Sequence, residues 1–139
     1  MILVSGCFDG VHAGHVRYLE AAAAVDPMHK LIVAIAPDAY VLTHKKQLRW
    51  CWTDRIAVVT ALKVVDGYLV HDDESVASVI TALRPRYFVK GEDWATCLPA
   101  DVLAACQDTG TEIRFVPDVG GHNVSTYGQV AYGAESQPS

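Results

Sequence analysis

The fold is decided by the stretch at residues 2–15, which reads Ile2-Leu-Val-Ser-Gly6-Cys-Phe-Asp-Gly10-Val-His12-Ala-Gly-His15. It begins with three apolar residues followed by Ser5, which together predict a buried β-strand over 2–5. The Ala-rich segment that follows predicts a helix over 14–25. Gly6 and Gly10 allow the backbone to turn tightly between the two elements. The stretch therefore predicts a strand, a short loop and the N-terminus of a helix in direct succession.

The same alternation continues along the chain. Short apolar runs predict four more strands, over 31–36, 68–71, 87–90 and 112–116. Helical periodicity predicts three more helices, over 53–65 with Thr53 as cap, 75–83 and 99–107, whereas the polar segment 38–52 predicts an irregular loop. Strands that alternate with helices predict a parallel five-stranded sheet with helices on both faces. We expect a Rossmann-like three-layer α/β/α fold with strand order 3-2-1-4-5, whose ligands bind beyond the carboxyl ends of the strands.

Composition narrows the class of protein. The chain has 139 residues, of which 51% are hydrophobic and 19% charged, and this predicts one globular domain over 1–132 with a flexible polar tail over 133–139. The net charge of −5 argues against nucleic-acid and membrane partners. The first residues lack the basic start of a signal peptide, and a cytoplasmic location is expected. The four cysteines have no metal-ligand spacing and are interpreted as small buried or half-buried residues.

His12 and His15 give the first loop its chemistry. A helix N-terminus offers unpaired backbone N–H groups and the positive end of the helix dipole, which together attract a phosphate. At a spacing of three residues the two imidazoles can face the same anion, and Gly14 between them leaves access open. The sequence therefore predicts a phosphate site in which two histidines donate to phosphoryl oxygens.

This pattern resembles the cytidylyltransferase-like nucleotidyltransferases, whose hallmark is His-x-Gly-His after the first strand. The resemblance covers residues 1–126 and includes four further places. These are a lysine loop at 43–46, an arginine in the next helix at Arg55, the stretch Val-Lys-Gly-Glu-Asp-Trp at 89–94, and Ser-Thr at 125–126. The stretch at 89–94 is similar both to ADP-heptose synthase nucleotidyltransferase domains and to glycerol-3-phosphate cytidylyltransferases.

The resemblance implies a role for each matching residue. It implies catalytic roles for His12, His15 and Lys46, the last favoured over Lys45 by ungapped counting from Arg55. Arg55 and Lys90 are expected to support the acceptor, with Arg55 reaching its phosphate or bracing the lysine loop. The implied nucleotide-binding residues are Gly6, Cys7, Phe8, Asp9, Gly14, Lys45, Gly91, Asp93, Ser125 and Thr126.

The implied reaction transfers a nucleoside monophosphate from ATP or CTP to a phosphorylated small molecule, such as a sugar or polyol phosphate, and releases pyrophosphate. Mg²⁺ is the expected cofactor, held mainly by phosphate oxygens and water rather than by a protein metal site. The family commonly forms dimers, and a homodimer is therefore expected. Two alternatives stay open: a degenerate nucleotide-binding sensor, and an enzyme of the FAD synthetase or phosphonate cytidylyltransferase type.

Several other side chains are interpreted as structural, or have two alternative interpretations. His29, His44 and His71 have no ligand spacing and are interpreted as surface histidines. Trp50 and Trp52 lie between the lysine loop and the next helix. They are either a lid or pocket wall, or a hydrophobic staple or dimer contact.

Overall fold

The computed structural model describes residues 1–71 and 75–117. The predicted domain end at 132, the tail over 133–139 and the pair Ser125 and Thr126 lie outside the described residues. The strands are β1 (Ile2–Gly6), β2 (Leu31–Ile35), β3 (Gly67–Val70), β4 (Tyr87–Gly91) and β5 (Glu112–Val116). The α-helices are α1 (Ala13–Ala23), α2 (Asp38–Lys45), α3 (Trp52–Thr60), α4 (Ala77–Leu83) and α5 (Ala100–Thr109), and one turn of 3₁₀ helix (Glu92–Trp94) follows β4.

The strands form one parallel sheet in the order β3-β2-β1-β4-β5. Strand β1 lies in the centre, where Val4 pairs with Val33 of β2 and with Val89 of β4. The chain reverses its winding direction at β1, so the loop after β1 opens at the switch point of the sheet. The predicted fold class and strand order are confirmed.

Two separate apolar layers sandwich the sheet. On one face, Val4 and Val33 pack with residues of α1 and α3, among them Leu19 and Val59. On the other face, residues of α4 and α5 pack against the sheet, and this layer contains Leu3, Ala34, Ile80, Phe88 and Val102. Because neighbouring residues of a strand point to opposite faces, a strand covered on both faces must be apolar throughout. This explains why the first three residues of β1, Ile2, Leu3 and Val4, are all apolar and buried.

The polar segment 38–52 contains a helix that the sequence did not predict. Helix α2 begins after Pro37, and Lys46 ends it with a left-handed backbone at φ 67°. Val41 is its one buried residue. A helix anchored by one apolar side chain has no periodic pattern to detect, and the prediction of an irregular loop was wrong for this reason.

Helix α3 is shorter than predicted and begins differently. Its N-cap is Cys51, and the hydroxyl of Thr53 lies 3.1 Å from the Cys51 Sγ and caps no backbone N–H. The helix ends at Thr60, and tighter i→i+3 turns carry the chain on to Val65. Leu62 and Val65 still pack on the same core layer as α3. The apolar period therefore continues past the end of the helix.

The surface differs from prediction at two of the cysteines. Cys51 and Cys97 are exposed, whereas Cys7 is half-buried and Cys106 is buried. Within the described residues, no helix is long and apolar enough to cross a membrane.

Candidate active site

A cavity of about 790 Å³ opens at the carboxyl edge of the sheet. Its centre is the loop from Gly6 to His15, between β1 and α1. On the β2 side it is lined by α2 and by the end of β3, and on the β4 side by the segment from Lys90 to Val102. The cavity therefore lies at the position that the parallel sheet predicts for a ligand.

His12 and His15 begin α1 by capping each other. Nδ1 of His12 accepts from the backbone N–H of Gly14 (3.0 Å), and Nδ1 of His15 accepts from the backbone N–H of His12 (3.1 Å). Because Nδ1 accepts in both rings, the proton of each neutral imidazole is on Nε2. Both rings line the cavity. In each ring the N–H group is therefore on the nitrogen that does not cap the helix.

The two rings pack closely, with centroids 4.1 Å apart. Burial, together with the neighbouring His12, lowers the pKa of His15 to about 4. At neutral pH His15 is therefore an uncharged donor. The neutral ring already carries a hydrogen on Nε2, so it can donate to a phosphoryl oxygen without first being protonated.

Two glycines keep this loop open. A Cβ atom at Gly14 would lie 2.8 Å from Cε1 of His12, so any side chain would displace that ring. A Cβ at Gly6 would lie 2.9 Å from Cε2 of Phe8, whose own backbone is left-handed at φ 51°. The aromatic ring of Phe8 fills the space beneath the loop and is 3% exposed. Gly6, Phe8 and Gly14 therefore shape the cavity.

Buried charges hold the loop in place. Both carboxylate oxygens of Asp9 accept from backbone N–H groups, those of Arg49 and Trp50, each at 2.6 Å. Arg55 is fully buried and donates to the carbonyls of Cys7 (2.8 Å) and Trp50 (3.1 Å) and to the Asp38 carboxylate (2.7 Å). Arg55 does not line the cavity, so the structure places it as a brace of the first loop rather than as a contact of the acceptor phosphate.

Of the predicted site lysines, Lys45 and Lys90 line the cavity and Lys46 does not. Lys45 lines the cavity, whereas Lys46 is the exposed residue that ends α2 and does not line it. The geometry thus favours Lys45 over Lys46. Lys90 lines the opposite half, where its Nζ lies 3.4 Å from the Ser5 carbonyl and 4.4 Å from the centroid of the Trp94 ring. Burial lowers the pKa of Lys90 to about 8.

The half of the cavity beside β4 is mainly apolar. Phe88, Leu98, Val102 and the ring of Trp94 line it. A Cβ atom at Gly91 would lie 2.8 Å from Oδ1 of Asp93, so this glycine leaves room for the carboxylate at the rim. An apolar slot with one carboxylate and one ammonium group suits a planar base with its ribose.

The half beside β2 and β3 contains residues to which the sequence analysis assigned no site role. Tyr40 stacks on His44, with centroids 3.9 Å apart, and its ring meets His71 edge-on at 5.1 Å. His71 is 6% exposed, so the prediction of a surface histidine was wrong for this residue. His71 directly follows β3, a position at the carboxyl edge that could have identified it. Tyr40 lies on the unpredicted helix α2 and carried no such signal.

Most of the predicted residues converge on the cavity. Those that line it are Gly6, Cys7, Phe8, Asp9, His12, Gly14, His15, Lys45, Lys90, Gly91 and Asp93. Lys46 and Arg55 do not, and Ser125 and Thr126 lie outside the described residues. Trp50 and Trp52 do not line it either, whereas Trp94 does. Burial raises the pKa of Cys7, which keeps its thiol protonated.

No cluster of three or more His, Cys, Asp or Glu side chains that could hold a metal ion occurs in residues 1–71 and 75–117. Asp93 is an exposed carboxylate at the cavity rim. The backbone already engages both oxygens of Asp9. Of these two carboxylates, Asp93 is therefore the one that is exposed at the cavity.

The family is established by comparison with known proteins. The model of the family described as "Cytidylyltransferase-like" matches residues 3–127. The chain therefore belongs to the cytidylyltransferase-like family of nucleotidyltransferase domains, and the resemblance seen in the sequence is confirmed.

Among curated proteins, the chain is similar to proteins named "Bifunctional protein HldE". It is 36% identical to that of Hyphomonas neptunium over 125 residues, which are 87% of this chain and 25% of the relative. It is 34% identical to that of Methylococcus capsulatus over 127 residues, 90% of this chain and 26% of the relative. The chain thus spans about a quarter of the length of these relatives.

Among solved structures, the fold is similar to that in "Crystal structure of the lipopolysaccharide core biosynthesis protein from Thermoplasma volcanium GSS1". The TM-score is 0.67, and the match covers 84% of this chain and 93% of that chain at 21% sequence identity. This likeness supports the fold.

Proposed function

We propose that this chain transfers a nucleoside monophosphate from ATP or CTP to a phosphorylated sugar or polyol and releases pyrophosphate. The observation that carries the proposal is the histidine pair at the N-terminus of α1. The hydrogen bonds that begin the helix engage Nδ1 of each ring, so each ring proton is on Nε2, and both residues line the cavity.

The reaction needs little proton transfer. An ionised phosphate oxygen of the acceptor attacks the α-phosphorus of the nucleotide and forms a new P–O bond. The bond between the α-phosphorus and the oxygen that leads to the β-phosphate breaks, and its electron pair leaves with pyrophosphate. Catalysis then rests on in-line positioning and on stabilising the charge that develops on phosphoryl oxygens. His12, His15 and the N-terminus of α1 supply donors for that charge.

The two halves of the cavity suit two different substrates. The apolar half beside β4 contains Phe88, Leu98 and the Trp94 ring, which fit a base. The half beside β2 and β3 contains Lys45, His44 and Tyr40, which fit a small polar phosphate ester. The histidine pair lies on the central loop between the two halves, where the transferred phosphoryl group must pass from one substrate to the other.

Mg²⁺ fits this arrangement as a companion of the nucleotide. It would neutralise charge on the phosphates when bound, and Asp93 at the rim would accept from one of its waters. Lys45 adds positive charge in the half that fits the acceptor. Lys90, which the resemblance implied as support for the acceptor, lies in the half that fits the base, so its charge is suited to the nucleotide phosphates instead.

Pyrophosphate release tests the proposal. The protein is incubated with Mg²⁺ and each of ATP, CTP, GTP and UTP, in combination with a heptose 1-phosphate, glucose 1-phosphate and glycerol 3-phosphate. We expect pyrophosphate with ATP or CTP and at least one acceptor. A thermal shift series with the four nucleotides shows which base binds, since binding to the native state raises the apparent Tm. A nucleotide that raises the Tm without pyrophosphate release in any combination would indicate a sensor instead.

A further inference from the structure

His44 presents the opposite hydrogen-bonding character from the catalytic pair. Its Nδ1 lies 2.9 Å from the backbone carbonyl oxygen of Tyr40, one turn earlier in α2. A carbonyl oxygen only accepts, so Nδ1 of His44 donates. In the neutral ring, Nε2 then carries a lone pair and accepts. The ring proton is thus on Nε2 in His12 and His15 but on Nδ1 in His44, and all three residues line the same cavity.

The orientation of the His44 ring is fixed by a second contact. The ring stacks on Tyr40 at 3.9 Å between centroids, with 21° between the planes. Tyr40 is in turn packed edge-on against the buried His71. Burial raises the pKa of the Tyr40 hydroxyl, so this packing partner stays uncharged. The stack and the hydrogen bond together hold His44 in one orientation, although its position on the last turn of α2 is exposed.

We propose that Nε2 of His44 accepts a hydrogen bond from a hydroxyl group of the phosphorylated acceptor and so selects acceptors that carry hydroxyls. The inference rests on the proposed function and adds a specificity-determining residue to it. It also assigns different tasks to neighbouring residues of α2. The ammonium group of Lys45 is suited to a phosphate, and the lone pair of His44 is suited to a hydroxyl donor.

A lone-pair acceptor discriminates by chemistry. It repels the oxygens of a phosphate, which are themselves acceptors, and an alkyl chain in its place leaves it without a donor. A site built to hydrogen-bond a substrate hydroxyl disfavours the analogue that lacks it. Matched pairs of acceptors with and without hydroxyls therefore isolate the contribution of His44.

The experiment compares glycerol 3-phosphate with propyl phosphate, and a heptose 1-phosphate with cyclohexyl phosphate, each with the preferred nucleotide and Mg²⁺ at pH 8. The variants are His44→Phe, which keeps a ring to stack on Tyr40 but has no acceptor, and His44→Gln, whose Oε1 restores one. Thr43→Ala is the control, because Thr43 is exposed on the same helix and does not line the cavity.

We expect His44→Phe to lower kcat/KM for the hydroxylated acceptor about tenfold, as for the loss of one hydrogen bond, while the KM for nucleotide stays unchanged. The hydroxyl-free phosphates should be affected less than threefold. His44→Gln should recover most of the loss, and Thr43→Ala should behave as wild type. Calorimetric titration of the same phosphates into each variant, with a non-hydrolysable nucleotide analogue bound, should show the same pattern in Kd.

Two failures are distinguishable. Equal losses for hydroxylated and hydroxyl-free acceptors in His44→Phe, or no loss for either, would overturn the role of His44 and leave nucleotidyl transfer standing. Absence of pyrophosphate in every combination would overturn the proposed function. In that case the titrations alone decide the inference, and equal Kd values for wild type and His44→Phe would overturn it too.

Discussion

His12 and His15 cap the N-terminus of α1, a role that other residue types usually have. A helix is commonly capped by Ser, Thr, Asp or Asn, with Glu or Gln three residues later. Here both positions of the capping box are histidines. The hydrogen bonds that satisfy the first N–H groups of the helix also fix the tautomer of each ring. Helix initiation therefore uses Nδ1 of each ring, and the proposed ligand contacts would use Nε2.

Lys90 gives a prediction at the scale of the single residue. Burial lowers its pKa to about 8, so the free protein loses this positive charge as the pH rises through that value. A nucleotide polyphosphate binds the protonated form better. We expect kcat/KM for nucleotide to fall between pH 7 and pH 9, measured as pyrophosphate release, because this parameter reports the pKa of the free enzyme.

Two variants separate Lys90 from other titrating groups. Lys90→Arg stays charged across the range and should flatten the profile, because an arginine does not deprotonate in proteins. Lys90→Met should lower kcat/KM for nucleotide at pH 7 and remove the fall above it. An unaltered pH profile in both variants would contradict a role for the Lys90 charge.

Arg55 gives a prediction at the scale of the elements. It joins α3 to the loop after β1 and to Asp38 at the start of α2, and its side chain is fully buried. Arg55→Met leaves two carbonyls and the Asp38 carboxylate without this donor. Removing one partner of a buried ion pair typically costs about 3–5 kcal/mol, and we expect the low end because Asp38 is 31% exposed. Urea denaturation measures the change in free energy of unfolding.

Arg86→Met is the matched control. Arg86 is 53% exposed and lies 3.8 Å from the Glu112 carboxylate. Exposed pairs of this kind contribute about 0–1 kcal/mol. If the two variants were equally stable, the view that Arg55 braces the first loop would be contradicted.

Helix α2 could not be predicted from local sequence patterns. Its sequence Asp-Ala-Tyr-Val-Leu-Thr-His-Lys has no apolar face, and its position depends on Val41 and on the contact of Asp38 with Arg55. These contacts join residues far apart in the sequence. The elements with a continuous apolar run or face, such as β1 and α1, could be predicted because the signal lies within the element itself.

At the scale of the whole molecule, the sheet topology explains which site residues the sequence could identify. Parallel strands end at one edge, so Gly6, Lys90 and Gly91 were predictable neighbours in space. The tautomers of His12, His15 and His44 could not be predicted from the sequence, because they follow from hydrogen-bond geometry. The preference for Lys45 over Lys46 as a cavity residue could not be predicted either, since it depends on where the left-handed residue ends α2.

The switch point also explains why the cavity has two halves. Strands β2 and β3 lie on one side of β1, and β4 and β5 lie on the other. The loop after β1 therefore faces both halves of the cavity. In the proposed reaction, this loop would hold the phosphoryl group between a nucleotide on one side and an acceptor on the other.

The comparison of wild type with His15→Asn in the pyrophosphate assay tests nucleotidyl transfer at the histidine pair most directly. The Asn side-chain oxygen can replace Nδ1 of His15 as acceptor for the His12 N–H, so the cap is kept while the Nε2–H donor is lost. With a nucleotide and acceptor that the wild type uses, we expect kcat to fall by about 10²–10³. The Tm should stay within a few degrees of wild type. A kcat within threefold of wild type in this folded variant would contradict the account.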